Sequence, residues 1–278
     1  MSGDVDEITL AEELRAPSGP GLARANLLLA REVAYPELQP SRYLARLDGW
    51  GAEARRRCAA IAEPAGRAAC LSEFLFAEVG LRGNEMEYYD PRNSYLNEVM
   101  DRRLGLPIAL SAIFLEVAER AGVLAYGVGL PGHFIVAVAD GASACLLDPF
   151  HGGVLLTRED ATALVRSVTG YSTAFDPAWL APVSTTAMLT RMMLNLRGVY
   201  LRSEAWTSAI AVLERLRLMQ PQELEHLRDL GLISQRAGHL RRAAGYLEDY
   251  LMAAEDRPDS ELIRRSLNAL AHQLARLN

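Results

Sequence analysis

At 278 residues the chain is long enough for one large or two modest domains with full cores. Its formal net charge of −6 argues against a nucleic-acid groove, and the absence of any lysine is a bias that carries no functional reading. Three unpatterned cysteines fit a reduced, cytoplasmic compartment better than a disulfide framework.

The first residues, MSGDVDEITLAEELRA, are acidic and lack the apolar core of a signal peptide. No segment reads as membrane-spanning, because the long uncharged run from Ala121 to Ala139 is broken by glycines and Pro131. Residues 1–20 read as a flexible arm with a short helix, closed by Pro17-Ser18-Gly19-Pro20. From Leu22 to about Gly83 apolar residues such as Tyr43, Leu44 and Leu47 recur at helical spacing between Arg and Glu.

The stretch from Asn84 to Met100 is richer in polar and aromatic groups. Tyr88, Tyr89, Asn93, Asn97 and Glu98 are candidates to line a cleft in front of His133, while Asn93 or Ser94 is placed to cap the helix carrying Leu96, Val99 and Met100. Arg102-Arg103 reads as a solvated turn.

Leu104 to Gly153 is the organising stretch. An almost wholly apolar helix is expected from Pro107 to Ala121, since proline suits a first helical turn and Gly122 a C-terminal cap. A helix apolar on nearly every face is a buried one. Strands follow, with Asp140-Gly141 as a two-residue hairpin turn. That turn would set Ala139 opposite Ala142, Ile135 opposite Leu146 and His133 opposite Asp148. Opposed residues share a face, so His133 and Asp148 would touch as a base and the carboxylate that orients it. The alternative is an ordinary strand-end histidine beside an aspartate that caps the Pro149 turn.

After the Gly152-Gly153 loop, Val154–Leu156 reads as a strand, and Thr157 with Asp160 opens a helix. The segment Gly170 to Pro182 reads as a connection. His151 is a possible second cleft histidine, although no second metal ligand lies at a recognised spacing, and no metal or other cofactor is expected. Leu196, Tyr200, Ala209, Leu213 and Pro221 fall at tetratricopeptide offsets, and Leu230, Gly231, Gly238, Ala243 and Leu247 repeat the pattern about 34 residues later. A last helix, Ser260 to Leu277, would cap this array with Leu262, Leu267, Leu270 and Leu274 on one side.

The run Tyr89-Asp90-Pro91-Arg92-Asn93-Ser94-Tyr95-Leu96, then Arg102 to Pro107, then Leu130-Pro131-Gly132-His133-Phe134 and Asp148-Pro149-Phe150 resembles the bacterial Sir-B-type, transglutaminase-like family. The resemblance implies an α+β, mostly helical chain. A papain- and transglutaminase-like core, its central helix packed on antiparallel strands, would occupy residues 21–183, with an all-α tetratricopeptide region at 187–278. Cores of this kind use a Cys at the tip of the central helix, a His opening the next strand and an Asp on the strand after. His133 and Asp148 match the last two roles.

The Cys position, counted from Gly105 and Gly122, falls on Pro107, which has no attacking group. Cys58 and Cys70 lie in predicted helices, and Cys145 is three residues from Asp148, so a regular strand points it to the other face. Ser111, one turn beyond Pro107, is the remaining candidate nucleophile, and its plainer role is a small packing residue bonded to a main-chain carbonyl.

The expected function is therefore a transglutaminase-like pseudoenzyme that binds a protein or peptide partner through its cleft and repeats. The alternatives are a hydrolase or acyltransferase using Ser111 with His133 and Asp148, and metal-assisted hydrolysis through His133, His151 and Asp148.

Overall fold

The computed structural model describes residues 5–141, 143–170, 176–253 and 257–277. The chain divides into two compact units, Met1–Met192 and Met193–Asn278.

The first unit opens with α1 (Leu10–Leu14), which Thr9 and Glu12 begin with a reciprocal capping box. The expected flexible arm is docked from residue 5 onward. Leu10 is fully buried, Arg31 holds the Asp6 and Ile8 carbonyls, and Asp6 accepts the Ser41 amide at 2.9 Å. Helices α2 (Leu22–Val33), α3 (Pro40–Cys58) and α4 (Pro64–Ser72) follow, the last running into a π-helical turn at Glu73–Glu78. The helical block then gives way to β1 (Arg82–Gly83), a 3-10 turn at Pro91–Ser94, and α5 (Leu96–Arg102).

Neither Asn93 nor Ser94 caps α5, because both lie inside the 3-10 turn. Asn26 of α2 does so instead, its Oδ1 accepting the Leu96 amide at 2.8 Å while its Nδ2 donates to the Ser94 carbonyl at 3.2 Å. Arg102 is not merely solvated, since it pairs with Asp90 at 3.2 Å.

Strand β2 (Leu104–Gly105) runs parallel to β1 and leads into α6 (Pro107–Ala121). This helix has the expected ends. Pro107 is in the first turn, and Gly122 takes the left-handed conformation, φ 73°, that a side chain disfavours. Every residue of α6 from Pro107 to Ala118 is buried except Leu115. Strands β3 (Ala125–Val128), β4 (Ile135–Ala139), β5 (Ala144–Asp148), β6 (Val154–Leu156) and β7 (Pro182–Val183) form one antiparallel sheet in the order β6-β5-β4-β3-β7. Helix α6 packs on β3 and β4, and all five residues of β4 are buried. Between β6 and β7 lies α7 (Arg158–Thr169), capped as expected by Thr157 and Asp160; its Ala161 and Val165 pack with Ile135, Ala137 and Leu146.

The hairpin register differs from expectation by two residues. Ala139 pairs with Ala144 and Ala137 with Leu146, so Asp140 to Ser143 form a four-residue loop, with Ala142 outside the described residues. Asp140 closes that loop with its own side chain, which accepts the Ser143 amide at 2.8 Å. Of the expected connection from Gly170 to Pro182, residues 171–175 lie outside the described residues; 177–180 form a 3-10 turn.

Helix α8 (Thr185–Arg202) begins in the first unit, where Met188, Leu189 and Met192 are buried, so the division falls later than the expected 183–187. The second unit continues with α9 (Trp206–Met219), α10 (Glu225–Arg236), α11 (Leu240–Ala253) and α12 (Ser260–Leu277). In α12 the buried position is Ile263, not Leu262, which is exposed; Ile263 and Leu270 join Leu227, Leu247 and Tyr250 in one core. Among the described residues no helix is long and apolar enough to cross a membrane.

Candidate functional site

His133 follows a tight turn at Pro131-Gly132, where Gly132 has φ 74° and an added Cβ would lie 2.6 Å from Val168. Arg191 of α8 ties this turn down by donating to the His133 carbonyl at 2.8 Å and the Leu130 carbonyl at 3.3 Å. Asp148 ends β5. The two-residue shift keeps each side chain on its face of the sheet, so His133, just ahead of β4, meets Asp148 on the diagonal and not directly across. His133 Nε2 lies 2.9 Å from Asp148 Oδ2.

The loop after Asp148 brings a third group. Gly152 and Gly153, both with positive φ, turn the chain back so that the Gly153 amide donates to the Asp148 carbonyl at 2.7 Å. This places His151 Nδ1 2.7 Å from the same Asp148 Oδ2, and the two imidazoles stack with centroids 5.8 Å apart. Asp148 Oδ1 accepts the Phe150 amide at 2.9 Å, so both carboxylate oxygens are used. His133 and Asp148 are 5% and 1% exposed, while His151 is 45% exposed. Burial pushes the Asp148 carboxyl up, but the hydrogen bonds and charge of His133 and then His151 outweigh it and hold it below the usual carboxylate range. Phe150 sits edge-on to His133 and to Tyr88, both at 6.0 Å.

The chain as a whole is similar to known proteins. The Transglutaminase-like superfamily matches residues 41–194, and the tetratricopeptide repeat matches residues 196–268. A UPF0162 protein of Xylella fastidiosa (strain Temecula1 / ATCC 700964) is 34% identical over 250 residues, 89% of each chain. The chain belongs to the UPF0162 family. A second UPF0162 protein, from Vibrio cholerae, is 25% identical over 198 residues, 71% of this chain and 73% of that one. F-box only protein 21 of Mus musculus is 38% identical over 80 residues, 29% of this chain and 13% of its own.

In this UPF0162 chain no thiol or hydroxyl of a described residue hydrogen-bonds the His133 ring. Pro107 occupies the first turn of α6, and the Ser111 hydroxyl, fully buried, bonds neither His133 nor the expected main-chain carbonyl. Cys58 and Cys70 face each other, their Sγ atoms 3.2 Å apart. Burial first, then the neighbouring Cys70, pushes the Cys58 thiol up to about 12; burial also raises Cys145. A thiol that keeps its proton is a poor nucleophile.

The other candidates are arranged around the loop that precedes α5. Asn93 is buried and braces it, donating to the Glu87 carbonyl at 2.7 Å and accepting from Asn84 at 3.0 Å. Asn97 is buried with its Oδ1 unpartnered, Glu98 is half-buried, and Tyr89 is exposed and edge-on to Tyr88. Of this group it is Tyr88, through Phe150, that approaches His133. Sequence reasoning did not find Arg191 or the ring contact of Phe150, whereas His151, expected as a second cleft histidine, does reach Asp148. For Arg191 the available signal was an arginine followed directly by Met192 and Met193 in α8.

Proposed function

We propose that this UPF0162 chain is a transglutaminase-like protein without acyl-transfer activity, which binds a protein or peptide partner through its cleft and repeats. The observation that carries this reading is Pro107 at the tip of α6, in the position the resemblance gives to the attacking thiol, together with a His133–Asp148 pair that lacks any hydrogen-bonded nucleophile. A base and its orienting carboxylate accelerate nothing without a group to deprotonate. The buried Ser111 hydroxyl, unbonded to the imidazole, speaks against the serine alternative. Tetratricopeptide repeats in general mediate protein–protein contacts, which supports the binding half.

Two measurements test it. The full chain, incubated with glutamine peptides and activated ester donors, should show no mass increase from an acyl adduct and no turnover. An adduct, or hydrolysis that His133→Ala abolishes, would overturn the non-catalytic half. Peptide-display selection against the full chain should enrich a defined sequence class; a selection that enriches nothing removes the binding half.

A further inference from the structure

We propose that His133, Asp148 and His151 form a binding site for one divalent transition-metal ion, of which zinc is the type. Among the described residues these are the three His, Cys, Asp or Glu side chains whose ligand atoms converge, all within 4.8 Å of one another. The convergence is specific. Both imidazoles address one carboxylate oxygen, Oδ2, at 2.9 and 2.7 Å, instead of taking one oxygen each, because Oδ1 is held by the Phe150 amide.

A tetrahedral zinc ion with bonds of about 2.0–2.1 Å sets its ligand atoms roughly 3.3 Å apart. The two nitrogen-to-oxygen separations are therefore short of that by about half an ångström, while the two ring nitrogens lie within 4.8 Å of each other; the half-exposed His151 is the side chain that can move to even out the three distances. Two imidazole nitrogens and one carboxylate oxygen are the donor set of borderline ions, not of magnesium or calcium. Each ring would present a lone pair from the nitrogen that now faces Asp148, its proton residing on the other ring nitrogen. The Phe150 amide on Oδ1 orients the carboxylate, as partners outside the ligand set commonly do. Three protein ligands leave a further position for an oxygen donor, and the exposed side of His151 is where solvent reaches the ion.

Metal uptake and acyl transfer are independent measurements, so the site stands or falls apart from the non-catalytic reading above. The competing ligands in the chain are the Cys58 and Cys70 thiols, 3.2 Å apart. The test strips the full-length protein with a chelator and titrates it with Zn²⁺ by calorimetry, then repeats the titration with Co²⁺ followed by visible absorption.

One ion per chain is expected, with affinity at least about 10-fold weaker in His151→Ala and unchanged in a Cys58→Ser, Cys70→Ser double variant. No uptake by the wild type, unchanged uptake in His151→Ala, or uptake lost with the cysteines would each overturn the site. His151→Gln serves as a second variant, and a metal-free melt matching the wild type identifies the variant that is folded and therefore read.

Discussion

Glu116 of α6 accepts the Ala23 amide of α2 at 2.7 Å, so a carboxylate on the central helix satisfies an open donor in the first turn of another helix, 93 residues away in the chain. The residue at the N-cap of α2 is Gly21, which has no side chain to do this. Glu116 also bonds Arg120, which in turn reaches Asp48 of α3 at 2.7 Å. One buried acid thus ties three helices together. Glu116→Ala should lower unfolding stability by about 2–3 kcal/mol, since it strands a buried amide and removes a charged acceptor. Glu116→Gln, which keeps an acceptor oxygen, should lose less. Denaturant unfolding of the first unit's transition measures both; equal losses would show that an uncharged acceptor oxygen restores nothing at this position.

Asp90 gives the chain an acid-side pH dependence. Burial pushes its carboxyl up, but hydrogen bonds from the Arg92 side chain and amide, with the charges of Arg102 and Arg92, bring it below its ordinary value of 3.8. A carboxyl with a lowered folded-state pKa contributes stability above the unfolded value, and that contribution fades as pH falls through the folded one. The wild type should therefore lose stability relative to Asp90→Asn as pH drops below about 4. Parallel melts at pH 6 and pH 3 measure the difference, and a constant gap between the two proteins would refute it.

Gly153 holds the loop that carries His151. Its φ of 72° disfavours any side chain, and an added Cβ would lie 2.4 Å from both Phe76 and the Ser72 hydroxyl, which now donates to the Gly153 carbonyl at 3.0 Å. Gly153→Ala should cost about 1–3 kcal/mol and displace His151 from Asp148. An NMR shift of the His151 ring, with His133 signals less affected, is the expected signature.

In the second unit Gly231 of α10 lets α11 approach, and a Cβ there would stand 2.3 Å from Leu247 Cδ2. Gly231→Ala is favourable to a helix by about 1 kcal/mol on propensity alone, so a net loss of stability would measure the overpacking against α11. A net gain would mean that the helices separate without cost.

Helix α6 was legible from end to end because its boundaries are written in residues with fixed backbone preferences, Pro107 and Gly122. The hairpin was legible in its strands but not its register. Asp140-Gly141 is a strong two-residue turn signal, yet the Asp140 side chain reaches Ser143 and lengthens the loop. The His133–Asp148 contact survived that error because the shift was even. What could not be read were contacts made across long stretches of chain: Asn26 as the cap of α5, Glu116 as the acceptor for α2, and Arg191 bracing the His133 turn. Each is a polar residue on a helix whose partner lies far along the chain, and local pattern names no partner for such a residue. The docking of residues 5–15 was missed for the same reason, since the acidic segment is held by Arg31 and Ser41.

The unequal exposure of the three clustered side chains has a practical corollary. His133 and Asp148 are sealed in, and His151 alone meets the outside at 45%. A small electrophile that modifies imidazoles would therefore reach His151 well before its neighbour. Its labelling rate becomes an external gauge of whatever occupies the interior pair, readable by peptide mapping without disturbing the fold.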